Sequence, residues 1–353
     1  VARKLSGQDA RRMRRQSQLL DGSDLSPADV VRRAVALQGQ DLPAVLRAIA
    51  VRSRPGTTVQ DVRDAFDRGE LVRGWPMRGT LFATTPEHLA TLLSFTAERI
   101  RNMAARRRSE LGLDESVLAR GRDILQEALG GRPLRRSEVL ELWEAAGIPT
   151  SEGRGYHLLM HLSVEGLAHW GRFSPGSSEQ LLTLTAPAAA DPDSANDADL
   201  SAVIRGFVLA RGPVTENDPA WWTKLPKTMV RKAAAGIEDL VQVEVDGRPA
   251  WIIGEPEIPE PSGVSLVPAF DEWILGYADR SLVAGPAMLA AIVPGGNGVF
   301  RPAVLDDGVV VGTWRLPRTS SRATPEPVID LVERVSAAKR RAIAQAVADW
   351  PHG

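Results

Sequence analysis

Three times along the chain the apolar spacing changes from helical, three or four residues apart, to the alternation of a strand, each time after two or three short helical stretches. The first passage opens at Ser26-Pro27, a serine suited to an N-cap followed by proline for the first turn. A helix is expected from there through Val30, Val31, Ala34, Val35 and Leu37 to a glutamine pair, Gln38 and Gln40. Further helices are expected from about Pro43 to Val51, stopped by Pro55-Gly56, and from Thr58 onward. Leu71 to Met77 and Thr80 to Thr84, split by Arg78-Gly79, then read as a hairpin. After a helical connector over residues 86–130, the second passage runs through a helix capped by Ser137, a turn at Gly147-Ile148-Pro149-Thr150 and a helix from Tyr156 to Val164. Strands from Gly166 to Arg172 and Leu181 to Thr185 close it. In the third passage Val203 to Ala210 is helical, Asp218 caps a helix that has Pro219 in its first position, and Lys227 to Ala235 is helical. It ends in a hairpin turned at Asp246-Gly247, one of the stronger short-range turn signals. Short helices closed by a hairpin are a winged helix-turn-helix. The expectation is an α+β chain, mainly helical, with three such units in tandem at residues 1–85, 131–185 and 200–254.

Ala186 to Asp199, rich in Ala, Pro, Asp and Ser, reads as a linker. Residues 262–353 read as an α+β cap, with Asn297 to Leu305 paired to Val309 to Arg315 and a long helix from Val328 to about Ala348. A chain of 353 residues is too long for one ordinary core, in keeping with several units.

Composition removes several chemistries. Cysteine is absent, which excludes disulfides, thiol nucleophiles, iron–sulfur ligation and cysteine zinc sites. His157 and His161 have the i, i+4 spacing of metal ligands but lack the glutamate between them that a hydrolytic zinc helix carries, so no metal is expected. No apolar run reaches bilayer length and Val1-Ala2-Arg3-Lys4 leads into no apolar segment, so no membrane association and a cytoplasmic location are expected. The net charge of −1 neither requires nor forbids nucleic acid. Its distribution is more informative, because arginines cluster at 11–15, 32–33, 106–108 and 135–136 while acids gather near Asp191 and Glu255 to Glu260. Arg32, Arg33, Arg73 and Arg78 are candidate DNA contacts through the guanidinium fork, with a solvated wing an equally open reading for the last two. Trp75, Trp221 and Trp222 read as core rather than base-stacking groups, and Phe270, Asp271 and Arg280 as structural parts of the cap, with contact to DNA the lesser alternative for these three.

The glutamine pair is the candidate site of chemistry. On a continuing helix, residues two apart face away from each other. Gly39 can end the helix with positive φ, which would leave Gln38 in its last turn and Gln40 just beyond, both carboxamides turned towards one place. A solvated helix end is the alternative. Asp41 can assist a water held there or cap the following helix. A carboxamide has no useful pKa and is no strong general base, but it can orient a water. With no lysine between Lys4 and Lys224, no Schiff-base strand cleavage is expected near the pair.

Several phrases, taken in order, resemble the helix-turn-helix-42 superfamily and within it the AlkZ-type DNA glycosylases. They are Leu37-Gln38-Gly39-Gln40, Arg73-Gly74-Trp75-Pro76-Met77-Arg78-Gly79-Thr80-Leu81, Arg211-Gly212-Pro213-Val214-Thr215 with Asp218 and Trp221-Trp222, Pro268-Ala269-Phe270-Asp271-Glu272 with Gly276-Tyr277 and Asp279-Arg280, and Asn297-Gly298-Val299-Phe300-Arg301-Pro302 with Gly312-Thr313-Trp314. The resemblance implies three winged helices in a C-shaped arrangement with a C-terminal α+β cap. It also implies a monofunctional, cofactor-free, monomeric enzyme that excises N7-alkylated guanines from double-stranded DNA and associates with the nucleoid when bound. Some members unhook interstrand crosslinks as self-resistance to a genotoxic metabolite. The family's Gln-x-Gln motif falls on Gln38 and Gln40. Gly39 departs from its usual aliphatic middle residue, and Phe82 stands where relatives often carry histidine. The competing readings are a non-catalytic winged-helix DNA-binding protein or transcription regulator, and a scaffold that binds protein.

Overall fold

A computed structural model describes residues 2–185, 196–261, 263–315, 327–332 and 335–351. The chain begins by crossing to a distant hairpin. β1 (Arg3–Leu5) pairs in parallel with the strand Leu240–Val245, Leu5 opposite Val245. α1 (Gly7–Ser17), started by a capping box between Ser6 and Asp9, adds Met13 to the same small core as Val243, Ala250 and Ile252.

α2 (Pro27–Ala34) starts at Ser26, whose hydroxyl accepts the Asp29 N–H at 3.2 Å. It does not run on to the glutamines as the apolar spacing suggests. Val35 takes φ +67°, outside the helical region, and the chain continues as β2 (Ala36–Gln38). Tertiary partners decide this. Arg211 donates to the carbonyls of Ala34 and Ala36 at 3.0 and 2.8 Å, Thr84 Oγ1 donates to that of Val35 at 2.7 Å, and Val35 and Ala36 enter a core with Phe207 and Trp222.

α3 (Leu42–Ala50) is capped by Asp41, and α4 (Val59–Asp67) by the box of Thr58 with Asp61. β3 (Val72–Met77) and β4 (Thr80–Thr84) form the expected hairpin, turned at Arg78 and Gly79 with φ +56° and +66°, the left-handed pair of a type I′ turn. Two long helices follow, α5 (Pro86–Glu110) and α6 (Glu115–Gly131). α7 (Arg136–Ala145) begins one residue ahead of the expected Ser137 cap, because the Glu138 carboxylate accepts the Arg135 N–H at 2.7 Å and closes the first turn from there. α8 (Arg154–Val164), β5 (Ala168–Phe173) and β6 (Gln180–Leu184) complete this half. The two hairpins merge into one sheet ordered β2-β4-β3-β5-β6, joined where Arg73 lies opposite Trp170. Trp75, Trp143 and Trp170 pack beneath it with Leu158 and Leu159.

Of the expected linker, residues 186–195 lie outside the described residues, and Asp197 to Asp199 are helical because Asn196 and Asp199 form a capping box for α9 (Asp197–Arg211). In α10 (Asn217–Thr223) Asp218 sits inside the helix rather than at its cap, and its carboxylate accepts the N–H groups of Thr215 and Ala278 at 2.7 and 2.9 Å. α11 (Lys227–Ala235), β7 (Leu240–Val245) and β8 (Arg248–Ile253) follow, and the sheet order is β1-β7-β8.

The C-terminal part contains β9 (Val264–Val267), α12 (Glu272–Leu275), α13 (Pro286–Ile292), a 3-10 turn at Pro294–Gly296, β10 (Ala303–Asp306), β11 (Val309–Arg315), β12 (Val328–Leu331) and α14 (Ala337–Ala348). The expected strand pair is thus part of a four-stranded sheet, β12-β11-β10-β9, and its first strand starts at Ala303 rather than Asn297. The expected helix from Val328 is corrected as well. Val328 to Leu331 pair with Arg315 to Gly312, a half-buried edge that suits β-branched residues, and the helix begins only after the Ser336 cap. Among the described residues no helix is long and apolar enough to cross a membrane.

Candidate active site

The glutamines converge because of a strand, not a helix end. β2 pairs with the outer edge of β4, Gln38 opposite Phe82, and the Gly39 N–H continues the ladder to the Leu81 carbonyl at 2.8 Å. In extended chain, residues two apart share a face. Both side chains accordingly reach the start of β4: Gln38 Nε2 donates to Thr80 Oγ1 at 3.4 Å, and Gln40 Oε1 accepts the Leu81 N–H at 3.2 Å. Gln38 is buried and Gln40 exposed. Gly39 is not among the positive-φ residues, which corrects its expected role as a helix stop. A Cβ there would lie 2.9 Å from the Ala83 nitrogen and 3.0 Å from the Phe82 carbonyl carbon, so glycine is required for close approach of the two strands.

Beneath Gln38 lies a buried ion pair. Its backbone N–H donates to Glu272 Oε1 at 2.9 Å, while Glu272 Oε2 accepts from Arg211 Nε and Nη2 at 3.0 and 2.8 Å and from Trp222 Nε1 at 3.2 Å. Arg211 has the Phe207 and Trp222 rings 4.8 and 4.5 Å from its guanidinium carbon. The pair's side chains are 1% and 3% exposed, and the desolvation that this costs is offset by a nearly complete set of partners. Nothing in the local sequence assigns either residue a role. The available signal was a glutamate opening the otherwise apolar turn Trp273-Ile274-Leu275.

Asp41 uses one carboxylate oxygen to cap α3, accepting the Ala44 N–H at 2.9 Å. Arg73 donates to Gln180 Oε1 at 3.1 Å and lies 5.5 Å from the Trp170 ring centre; burial lowers its pKa to about 10, with the Asp41 charge acting the other way. Arg78 lies 5.1 Å from the Phe82 ring centre, and burial brings it to about 10 as well, with Glu272 opposing. Both stay protonated at neutral pH. Arg32 is exposed and paired with Asp29. Arg33 donates to the carbonyls of Ser17 and Leu209 at 2.6 and 3.0 Å, tying α2 to α1 and α9, and burial lowers its pKa. Trp75 and Trp222 are fully buried, and Trp221 is half-buried, packed against the core that holds Trp222. His161 faces Glu165 at 3.2 Å, and among the described residues no group of three or more His, Asp or Glu could hold a metal. A cavity of about 670 Å³ lined by Leu89, Leu93, Val164, Glu165 and His169 touches neither glutamine, so the site is assigned from its side chains rather than from cavity size.

Each carboxamide oxygen has two lone pairs. One is engaged on each side, by the Gly39 N–H at 3.1 Å for Gln38 and the Leu81 N–H at 3.2 Å for Gln40, which fixes both oxygens and leaves a second lone pair to receive a water proton.

Over residues 31–351 the chain matches the family described as DNA glycosylase AlkZ-like. It is 26% identical over 326 residues to an interstrand DNA cross-link repair glycosylase of Streptomyces sahachiroi, a match that covers 86% of this chain and 85% of that protein. The solved structure of the Streptomyces sahachiroi DNA glycosylase AlkZ superposes on it with a TM-score of 0.81 at 24% identity, over 99% of this chain and 97% of the other, so the mixed α+β fold is shared. With a family match that spans both the glutamine strand and the Glu272 turn beneath it, the chain belongs to the AlkZ-like DNA glycosylases.

Proposed function

We propose that this glycosylase hydrolyses the N-glycosidic bond of cationic N7-alkylguanines in duplex DNA, with Gln38 and Gln40 holding the attacking water. The observation that carries the reading is that the two side chains fixed at the site are uncharged, non-titrating carboxamides. Of the nearby carboxylates, Asp41 caps a helix and Glu272 is matched by Arg211. A neutral, orienting site lacks a strong base and supplies proximity and alignment instead. That suffices when the leaving group is already activated. An N7-alkylguanine carries a positive charge, so the C1′–N9 bond breaks with its electrons moving onto the purine, which departs neutral. The water oxygen bonds to C1′ of the oxocarbenium-like sugar, and its proton passes to solvent. An unmodified purine is a much poorer leaving group.

The reading extends to architecture and partners. The three helix-and-hairpin segments act as tandem winged helices that bind double-stranded DNA as a monomer, with Arg32, Arg73 and Arg78 towards the backbone and Arg33 as a brace behind them. The relative's name supports interstrand crosslinks as a further substrate, unhooked by the same bond cleavage. Hydrolysis by water makes the enzyme monofunctional, releasing base without cutting the strand.

The test is release of free base, with alkali-labile sites, from a duplex containing N7-methylguanine. Gln38→Ala and Gln40→Ala are expected to abolish release while retaining DNA binding. A comparable kcat on unmodified DNA would refute the proposal, and an N7-linked crosslinked duplex tests unhooking by strand separation on a denaturing gel.

A further inference from the structure

Around Trp221 the fold gathers three cations, none of them in an ion pair among the described residues. The Arg78 and Arg280 guanidinium carbons lie 4.6 and 5.4 Å from its ring centre and Lys224 Nζ lies 5.6 Å away. Arg78 also covers Phe82, the cross-strand neighbour of Gln38, and Arg280 lies 5.3 Å from the Phe300 ring centre. Phe82, Arg78, Trp221, Arg280 and Phe300 therefore form a chain of alternating aromatic and cationic contacts that starts on β4, beside the glutamine strand.

Among the described residues no carboxylate forms an ion pair with Arg78, Lys224 or Arg280, and acids of the same segments have other partners. Glu272 is held by Arg211 at 2.8 Å, Asp279 by Arg248 at 3.3 Å, Glu216 by Arg231 at 2.7 Å, and Asp218 by backbone N–H groups. Arg78 Nε and Nη2 are buried without a hydrogen-bond partner, and its Nη1 has only a long contact of 3.5 Å to the Leu275 carbonyl. Arg280 donates through Nε to the Ile274 carbonyl at 2.9 Å. Like charges held this close oppose one another, and they would also oppose positive charge developing on a sugar at the adjacent glutamines.

We propose that Arg78, Lys224 and Arg280, arranged on Trp221, form a preformed phosphate site that holds the sugar-phosphate backbone of the strand whose damaged nucleotide sits at Gln38 and Gln40. The placement of the nucleotide rests on the glycosylase reading of that pair; the phosphate site does not. Three properties point to phosphate rather than to base edges. The cationic groups offer donors only, and phosphate oxygens are acceptors only, whereas base edges mix the two. Arg280, lying against the Trp221 face with only its Nε committed, to the Ile274 carbonyl, keeps its two Nη groups for the fork that matches phosphate, while Arg78, whose Nε and Nη2 are buried, adds charge behind it. Phosphate charge also neutralises the cluster where an oxocarbenium-like sugar would otherwise meet it.

The test is the salt dependence of binding to an undamaged duplex, followed by fluorescence anisotropy for the parent, Lys224→Gln, Arg280→Gln, Arg280→Lys and the double glutamine variant. Each phosphate contact removed lowers the slope of log K against log salt by about 0.9. The expected result is a loss of about one unit for each glutamine variant and about two for the double, with Arg280→Lys restored to the parental slope. Lys224 is exposed, so its variant will fold, and an unchanged slope in Lys224→Gln and in the double variant would overturn the site. Base release from the N7-methylguanine duplex is measured on the same preparations. Reduced slopes with a parent that releases no base would keep the phosphate site and refute the glutamine reading, while base release with unchanged slopes would do the reverse.

Discussion

Replacing Glu272 by alanine is expected to destabilise the fold by about 3–5 kcal/mol, the usual cost of leaving one member of a buried ion pair uncompensated. Arg211 makes that figure apply here: its side chain is 1% exposed, and with Glu272 gone it keeps only the carbonyls of Ala34 and Ala36. Removing both charges, as Arg211→Met with Glu272→Leu, takes away the uncompensated cation and should recover about 2 kcal/mol or more of that loss. It does not restore the anchor of β2. The Gln38 N–H loses its acceptor at 2.9 Å and the end of α2 loses its cap, so the strand bearing Gln38 is free to shift against β4. A displacement of about 1 Å at a positioning group costs on the order of 10²-fold in rate. The double variant is therefore expected to unfold in urea about 1–3 kcal/mol below the parent, more stable than Glu272→Ala, yet to release N7-methylguanine about a hundredfold more slowly under single-turnover conditions, with DNA affinity little changed. If the double variant recovers both stability and single-turnover rate, Glu272 and Arg211 serve packing alone and their proposed hold on Gln38 is wrong.

Gly39→Ala forces a Cβ to 2.9 Å from the backbone of Ala83 and is expected to cost about 1–3 kcal/mol in urea unfolding, in the range of overpacked sites. Because carboxamides do not titrate, single-turnover base release should be flat from about pH 6 to pH 9, and a limb that disappears in Asp41→Asn would show that a carboxylate acts as base. Burial lowers the pKa of His169 from 6.5 to about 4, so between those values the unfolded chain binds the proton and the folded chain does not. Stability should accordingly rise with pH across that window and level off above it, and His169→Asn should flatten the rise in urea melts at pH 4, 5, 6 and 7.

What the sequence made legible was local, and what it hid was set at long range. Ser26-Pro27, Thr58 and Asp246-Gly247 each carry their own start or turn signal within a few residues, and the elements they begin lie where those signals put them. The end of α2 and the strand identity of Val328 to Leu331 depend on Arg211, Thr84 and β11, none of which a local window contains. The glutamine pair combines both cases. Its two residues are identifiable, but they take a strand rather than the helix end that local spacing suggests, because three apolar residues before Gln38 fit either period and only the partner β4 decides between them. Gly39 shows the consequence. As a positive-φ helix stop it would tolerate asparagine and leave the carboxamides loosely placed. As the point where β2 closes on β4 it tolerates no side chain, and both carboxamide oxygens are held by backbone N–H groups at 3.1 and 3.2 Å. The same glycine thus changes from a source of freedom to the reason the two side chains are fixed, and a fixed pair is what an orienting site without a titrating base requires.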